Sequence, residues 1–254
     1  VPPSAAVNEG VNLCAKSGCK RAGGLVNSVL RRVSEHRDAL PEIPGEGTAE
    51  YLSTRYSHEL WQVRELIGRR GYDGARAVLE RNNTEPPLTL QTNTLHTTPE
   101  ELAGRLRTAG LEPETGASHG ELKLRGAGRA DLLPGYAEGL FYVQDGAARL
   151  AVTASGVEPG MTVLDACAAP GGKSFGAAIQ MRGEGRVISC DVQEKKLRRI
   201  VEGAARLGLG CIETRQMDAR RPAEELIGAA DVVIADAPCS GLGVIAKKPE
   251  IRFK

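Results

Sequence analysis

The sequence predicts an α/β protein whose later part is a doubly wound parallel sheet, preceded by a small α+β module and an all-α segment. Three observations carry this. From Gly160 onward, strand-like apolar runs alternate with helical patterns without interruption. A turn of small residues, Asp165 to Lys173, falls between the first strand and first helix of that cycle. Before Tyr142, three- and four-residue apolar spacing gives way to short two-residue alternation.

Between Ala6 and Arg37, Val7, Val11, Leu13, Leu25, Val26, Val29, Leu30 and Val33 recur at helical spacing, so two helices are expected, broken at Gly23 and Gly24. Pro41, Pro44, Gly45 and Gly47 give the next stretch a linker composition. Helical patterning returns from Tyr51 to Asn82 and stops at Pro86 and Pro87. Leu88 to Asn93 and Glu121 to Leu124 alternate like strands and flank a helix over Pro99 to Ala109, with Thr98 as its cap and Glu101 completing the capping pattern. In the later part, strands are expected at Thr162–Ala166, Arg186–Asp191, Ile212–Met217 and Asp231–Ala235, and helices at Ser174–Met181, Glu194–Leu207 and Pro222–Ile227. The implied division is 1–44, 45–142 and 143–254.

The 254 residues suffice for two domains, and 41% apolar content supplies a core. No apolar run reaches the length of a membrane span, and no secretory signal opens the chain, so a cytoplasmic protein is expected. Six cysteines without paired spacing and four scattered histidines give no metal site, and the thiols are expected reduced. A formal charge of +1, from 33 basic and 32 acidic residues, gives no bulk attraction for nucleic acid, so any such partner must be recognised locally.

The small residues Cys167, Ala168, Ala169, Pro170, Gly171 and Gly172, followed by Lys173, let backbone approach a ligand closely just ahead of a helix N-terminus. This suits a nucleotide-like cofactor, although the run is neither a dinucleotide fingerprint nor a P-loop. Asp191 closes the next strand, 20 positions after Gly171, where a carboxylate accepts hydrogen bonds from ribose hydroxyls. Asp218 and Asp236 are expected to close the third and fourth strands. Singly each aspartate could be a helix cap; together they outline the sugar, base and reaction sides of one pocket. Asp236-Ala237-Pro238-Cys239 then puts a thiol at the pocket mouth. Carbon 5 of cytosine becomes nucleophilic only after a thiolate adds to carbon 6, which gives such a cysteine a chemical use, and Asp236 could hold the ring at N3.

Asp-x-Cys-Ala-Ala-Pro-Gly-Gly-Lys, then Asp-Ala-Pro-Cys-Ser-Gly-Leu-Gly and Lys248-Pro249-Glu250-Ile251, resembles the 5-methylcytosine RNA methyltransferase family. Gly24 to Arg32 is similar to the end of the NusB-like helical domain of its bacterial small-subunit ribosomal RNA branch. The resemblance implies a Rossmann-like methyltransferase sheet, S-adenosylmethionine bound by Cys167 to Lys173, Asp191, Asp218 and Asp236, and catalysis involving Lys173, Asp236 and Cys239. It implies an RNA substrate, ribosomal RNA first and transfer RNA second, with the base unstacked into the pocket. A non-catalytic RNA-binding or assembly factor is the alternative from another class. A monomer is expected.

The family carries a second cysteine, in a Thr-Cys pair, as nucleophile, while the Pro-Cys cysteine assists product release. No Thr-Cys pair occurs in the 254 residues. The chain is therefore expected to be incomplete at both ends, to lack sheet strands after the fourth, and to be inactive alone. Gln91 stands where relatives carry Arg in an RNA-facing segment. Of the basic clusters, Lys247 to Lys254 is the expected phosphate contact, and Trp61 is expected to pack.

Overall fold

The computed structural model describes residues 2–39, 41–118, 120–221 and 223–253. Val1, Leu40, His119, Pro222 and Lys254 lie outside these, and with them the first residue of the expected Pro222 helix and the last cation of the basic segment. The chain divides into a unit running to Asn83 and another from Thr84 to Arg252.

The first unit holds α1 (Pro3–Lys16), α2 (Gly23–Glu35), α3 (Ala49–Tyr56) and α4 (Leu60–Asn82). The break between α1 and α2 is not at Gly23-Gly24, which open α2, but at Ser17–Ala22, where Gly18 takes a left-handed φ of 80°. Glycine opening a helix forgoes little, whereas left-handed Gly18 ends one. Thr48 caps α3 by accepting from the Tyr51 amide at 3.2 Å. Leu52, Val63, Ala75 and Leu79 form the core of the α3–α4 hairpin, and α4 kinks at Gly71. Trp61, expected to pack, is 53% exposed, because α4 buries the adjacent Gln62 and Val63 instead.

The second unit contains two sheets. The first comprises β1 (Leu88–Thr92), β2 (Glu114–Thr115), β3 (Glu121–Leu124) and β4 (Phe141–Val143), ordered β2-β3-β1-β4 and antiparallel, with α5 (Pro99–Thr108) packed on it. The capping box at α5 is present: Thr98 Oγ1 accepts from the Glu101 amide at 3.2 Å, and Glu101 Oε2 accepts from the Thr98 amide at 3.0 Å. Leu90, Leu102, Leu106, Leu122 and Phe141 fill one face. The opposite, polar face of β1 is buried too: Thr89 and Gln91 are almost fully covered, and Tyr142, paired with Gln91, packs into the core beneath the second sheet.

The second sheet comprises β5 (Thr162–Asp165), β6 (Arg186–Asp191), β7 (Ile212–Gln216) and β8 (Val232–Ile234), all parallel, in the order β7-β6-β5-β8. The preceding α6 (Gly146–Ala154) and the crossovers α7 (Gly172–Gln180) and α8 (Glu194–Leu207) supply helices. Successive strand residues face opposite layers: Val163 and Val187 pack with Phe175, Ile200 and Leu207, while Leu164 and Ile188 pack with Met217 and Leu226. Pairing on both faces is what a doubly wound sheet requires. The expected Pro222–Ile227 helix is instead one 3-10 turn, Glu224–Leu226. A segment stopped by Gly228 at φ 75° is too short to repay helix nucleation.

Candidate functional site

Parallel pairing in register, Asp165 with Ser189 and with Ile234, and Asp191 with Gln216, brings the carboxyl ends of the four strands to one edge. The order in which strands are added reverses at β5: β6 and β7 continue on one side of it while β8, parallel to it, lies on the other. Ligands of such sheets bind at that switch.

The β5–α7 loop is stitched to both neighbours, the Ala166 amide donating to Ile234 O at 2.8 Å and the Ala168 amide to Cys190 O at 2.7 Å. Gly171, with φ 112°, turns the chain into α7, and a Cβ there would stand 2.5 Å from the Phe175 ring. Only glycine meets both demands. The first amides of α7 then open toward the edge with the positive end of the helix dipole.

Lys173, in that first turn, donates to Asp236 Oδ2 at 2.5 Å, joining the loop after β5 to the loop after β8 across the switch. Cys239 follows, exposed, in the same irregular loop. Asp191 is buried at the end of β6, its Oδ1 accepting from the Gln193 amide at 2.9 Å. Asp218 and Asp236 lie two residues beyond the last residues of β7 and β8 rather than within the strands. Asp218 is gripped by Arg220, with Nη2 to Oδ2 at 2.6 Å and the Arg220 amide to Oδ1 at 3.0 Å, and these bonds pull its pKa down to about 2. Cys167 sits among them: burial first, then the charges of Asp165, Asp191, Asp236 and Asp218, push its thiol up. A thiol so surrounded is a poor thiolate.

Asp165 is fully buried. Ser174 Oγ donates to its Oδ2 at 2.8 Å and in turn accepts from Ser189 Oγ at 2.8 Å, which ties α7 to β5 and β6. Its Oδ1 is buried without a hydrogen-bond partner among the described residues. Burial pushes the carboxyl up to about 6 against the opposing pull of Ser174 and Lys173. Carboxylates around a helix N-terminus make a site suited to a ligand carrying a cation, vicinal hydroxyls and a carboxylate. No group of three or more possible metal ligands occurs among the described residues, and no helix there is long and apolar enough to cross a membrane.

A family model described as 16S rRNA methyltransferase RsmB/F matches residues 153–254. One for the RsmF/B-like ferredoxin-like domain matches 58–128, and one for the NusB family matches 1–35. Over its whole length the chain is 34% identical to the probable ribosomal RNA small subunit methyltransferase B of Bacillus subtilis strain 168. The chain belongs to the RsmB/F methyltransferase family. It spans 57% of that relative's length. The crystal structure of PH0851 superposes with a TM-score of 0.80 at 29% identity, over 96% of this chain and 54% of that one. NSun6 from Pyrococcus horikoshii, with SFG, gives a TM-score of 0.65 at 19% identity, over 72% of this chain and 71% of that one.

In this RsmB/F chain, Asp165, Ser174 and Ser189 are site-building residues that sequence reasoning passed over. The only signal was the position of Asp165 at the head of the small-residue turn. Gln91, at the position where relatives carry Arg in an RNA-facing segment, is 2% exposed and donates to Gln144 O at 3.2 Å, because the polar face of β1 turns inward. The basic segment is not uniformly available to phosphate either: Lys247 pairs with Asp145, and Arg252 is buried.

Proposed function

We propose that this chain contributes the cofactor-binding edge and part of the catalytic apparatus of an S-adenosylmethionine-dependent enzyme that methylates carbon 5 of a cytosine in small-subunit ribosomal RNA. The observation that carries the reading is the Lys173–Asp236 pair spanning the switch point, with Cys239 three residues further on. The family's description as 16S rRNA methyltransferases and the SFG, an S-adenosylmethionine analogue, of the NSun6 structure support it.

The residues present fit the cofactor. The carboxylates gathered at this edge suit an ammonium and a sulfonium, while the first amides of α7 suit a carboxylate. Asp191 would accept from the ribose hydroxyls, Cys167 to Gly172 would line the amino-acid portion, and Asp218, already held by Arg220, would stand on the base side. Bound S-adenosylmethionine supplies a methyl group on a positively charged sulfur. Asp236 would hold the cytosine at its N3 edge, carrying the proton that N3 takes up as the thiolate adds to carbon 6 and returns when the thiolate leaves, and Lys173 would fix that carboxyl in place. A cysteine thiolate adds to carbon 6, carbon 5 takes the methyl group, and loss of the carbon 5 proton with expulsion of the thiolate restores the ring. Cys239 is assigned to that release, in keeping with the family's Pro-Cys motif. In this reading residues 1–44 and 45–142 serve RNA contact and 143–254 cofactor and chemistry, in a cytoplasmic monomer.

The test is transfer of labelled methyl from S-adenosylmethionine to unmodified small-subunit ribosomal RNA. The proteins compared are the chain itself and a chimera to which the segment of the Bacillus subtilis relative that it does not span is appended. Label at cytosine carbon 5, dependent on the appended segment, is expected. Label on ribose or on another base would refute the reading, and equal labelling by the chain alone would make Cys239 the nucleophile.

A further inference from the structure

A groove of about 360 Å³ runs along α8 where the β1–β4 module meets the parallel sheet, within the range of small-ligand sites. Phe175 forms its floor, held by close backbone approach: a Cβ at Gly203 or Gly171 would stand 2.4 or 2.5 Å from that ring. Tyr136 forms one wall. Arg206 locks it, with its guanidinium 4.0 Å over the ring and Nη1 donating to Tyr136 O at 2.6 Å and to Phe141 O at 3.1 Å. Val143, 44% exposed at the end of β4, and Pro170 of the β5–α7 loop make an apolar rim.

Arg199 reaches this groove from the exposed side of α8. Its neighbour Arg198 takes Glu202 at 2.8 Å, whereas none of Arg199, Lys195 and Lys196 has an ion-pair partner among the described residues. Helical spacing of three and four residues puts these three cations on one strip of α8. Glu202 lines the same groove but is taken up by Arg198, so this end of α8 sets Lys195, Lys196, Arg198 and Arg199 against Glu194 and Glu202, an excess of positive charge beside an apolar rim. Apolar or aromatic surface for a base and a free cation for a phosphate are the two parts of a single-strand nucleic-acid platform.

We propose that this groove receives one unpaired nucleotide of the RNA strand next to the target cytosine, its base against Val143 and Pro170 and its phosphate at Arg199. The proposal rests on the RNA reading above. Pro170 belongs both to the rim and to the cofactor loop, so a nucleotide seated there would place the next base at the switch point.

Binding of the intact chain to a fluorescently labelled single-stranded RNA oligonucleotide, followed by anisotropy across a salt series, tests it. Arg199→Glu is expected to weaken binding about tenfold and to lower the log-affinity against log-salt slope by about 1. Val143→Asn, which removes the apolar contact without adding charge, should weaken binding to the normal oligonucleotide but not to one whose bases are removed. Arg125→Glu, exposed and paired with Glu114 on the module, is the charge control, expected to change affinity less than about twofold. Circular dichroism confirms that each variant is folded. If the unaltered chain binds RNA and neither Arg199→Glu nor Val143→Asn exceeds the control, the groove proposal is overturned while the RNA reading survives. If the unaltered chain binds no RNA, both fall.

Discussion

Replacing Asp165 by Asn should stabilise this protein at neutral pH while weakening its cofactor site. The Asp165 carboxyl is raised by burial from an ordinary 3.8 to about 6. Between those two values the folded state keeps a proton that the unfolded chain has released, so stability falls as pH rises through that window and is level above it. The rise corresponds to about 3 kcal/mol at about 1.36 kcal/mol per pH unit. Asn keeps the shape and can still accept from Ser174, but exchanging a charged acceptor for a neutral one gives back about 1 kcal/mol. The net gain of about 2 kcal/mol raises the melting temperature by about 4–8 °C for a domain of this size. Thermal unfolding followed by calorimetry below pH 4 and at about pH 7 reads this directly. The two proteins should melt close together in acid and diverge at neutrality, with cofactor affinity reduced in the variant. An Asn variant that melts lower at neutral pH, or keeps the same pH dependence, would refute the account of a carboxylate held against its solvation preference.

Asp191→Asn should weaken S-adenosylmethionine binding about tenfold by titration calorimetry, with melting temperature nearly unchanged, since it removes a charged acceptor and keeps the shape. Asn93→Ala should lower stability by about 2–3 kcal/mol in denaturant unfolding. Buried Asn93 donates to Gly139 O and Leu207 O, both at 2.9 Å; its loss removes the bond to Gly139 O and leaves Leu207 O with His96 Nε2 alone, at 3.0 Å. Gly139→Ala should be worse tolerated than a surface change: its φ is 71°, and a Cβ would stand 2.1 Å from Arg206 O. A loss of at least about 1–3 kcal/mol is therefore expected in the same assay.

Elements set by local chemistry are legible in the sequence. The bounds of β6 and α8 coincide with expectation, and the α5 capping box forms where Thr98 and Glu101 predict it, because hydrophobic period and caps act over one or two turns. The doubly wound sheet was legible for the same reason: its strand–helix cycle is written in sequence order. What depended on distant partners was not legible. Whether the polar face of β1 meets solvent or protein is settled by what packs on it, Gln144 and the core around Tyr142, so Gln91 is buried. Lys247 looked free until the fold set it beside Asp145, 102 positions away.

For the candidate site the division is the same. The sequence by itself determined the small-residue turn, the run of aspartates and the Pro-Cys loop, because each is a local string with a local physical use. Only the tertiary structure decided that β8 lies beside β5, and hence that Lys173 reaches Asp236 across 63 positions and that four carboxylates surround Cys167. It likewise decided that Asp165, buried behind Ser174 and Ser189, is held in a state its own chemistry disfavours. Charge interactions and desolvation depend on distance in space, and a sequence records only distance along the chain.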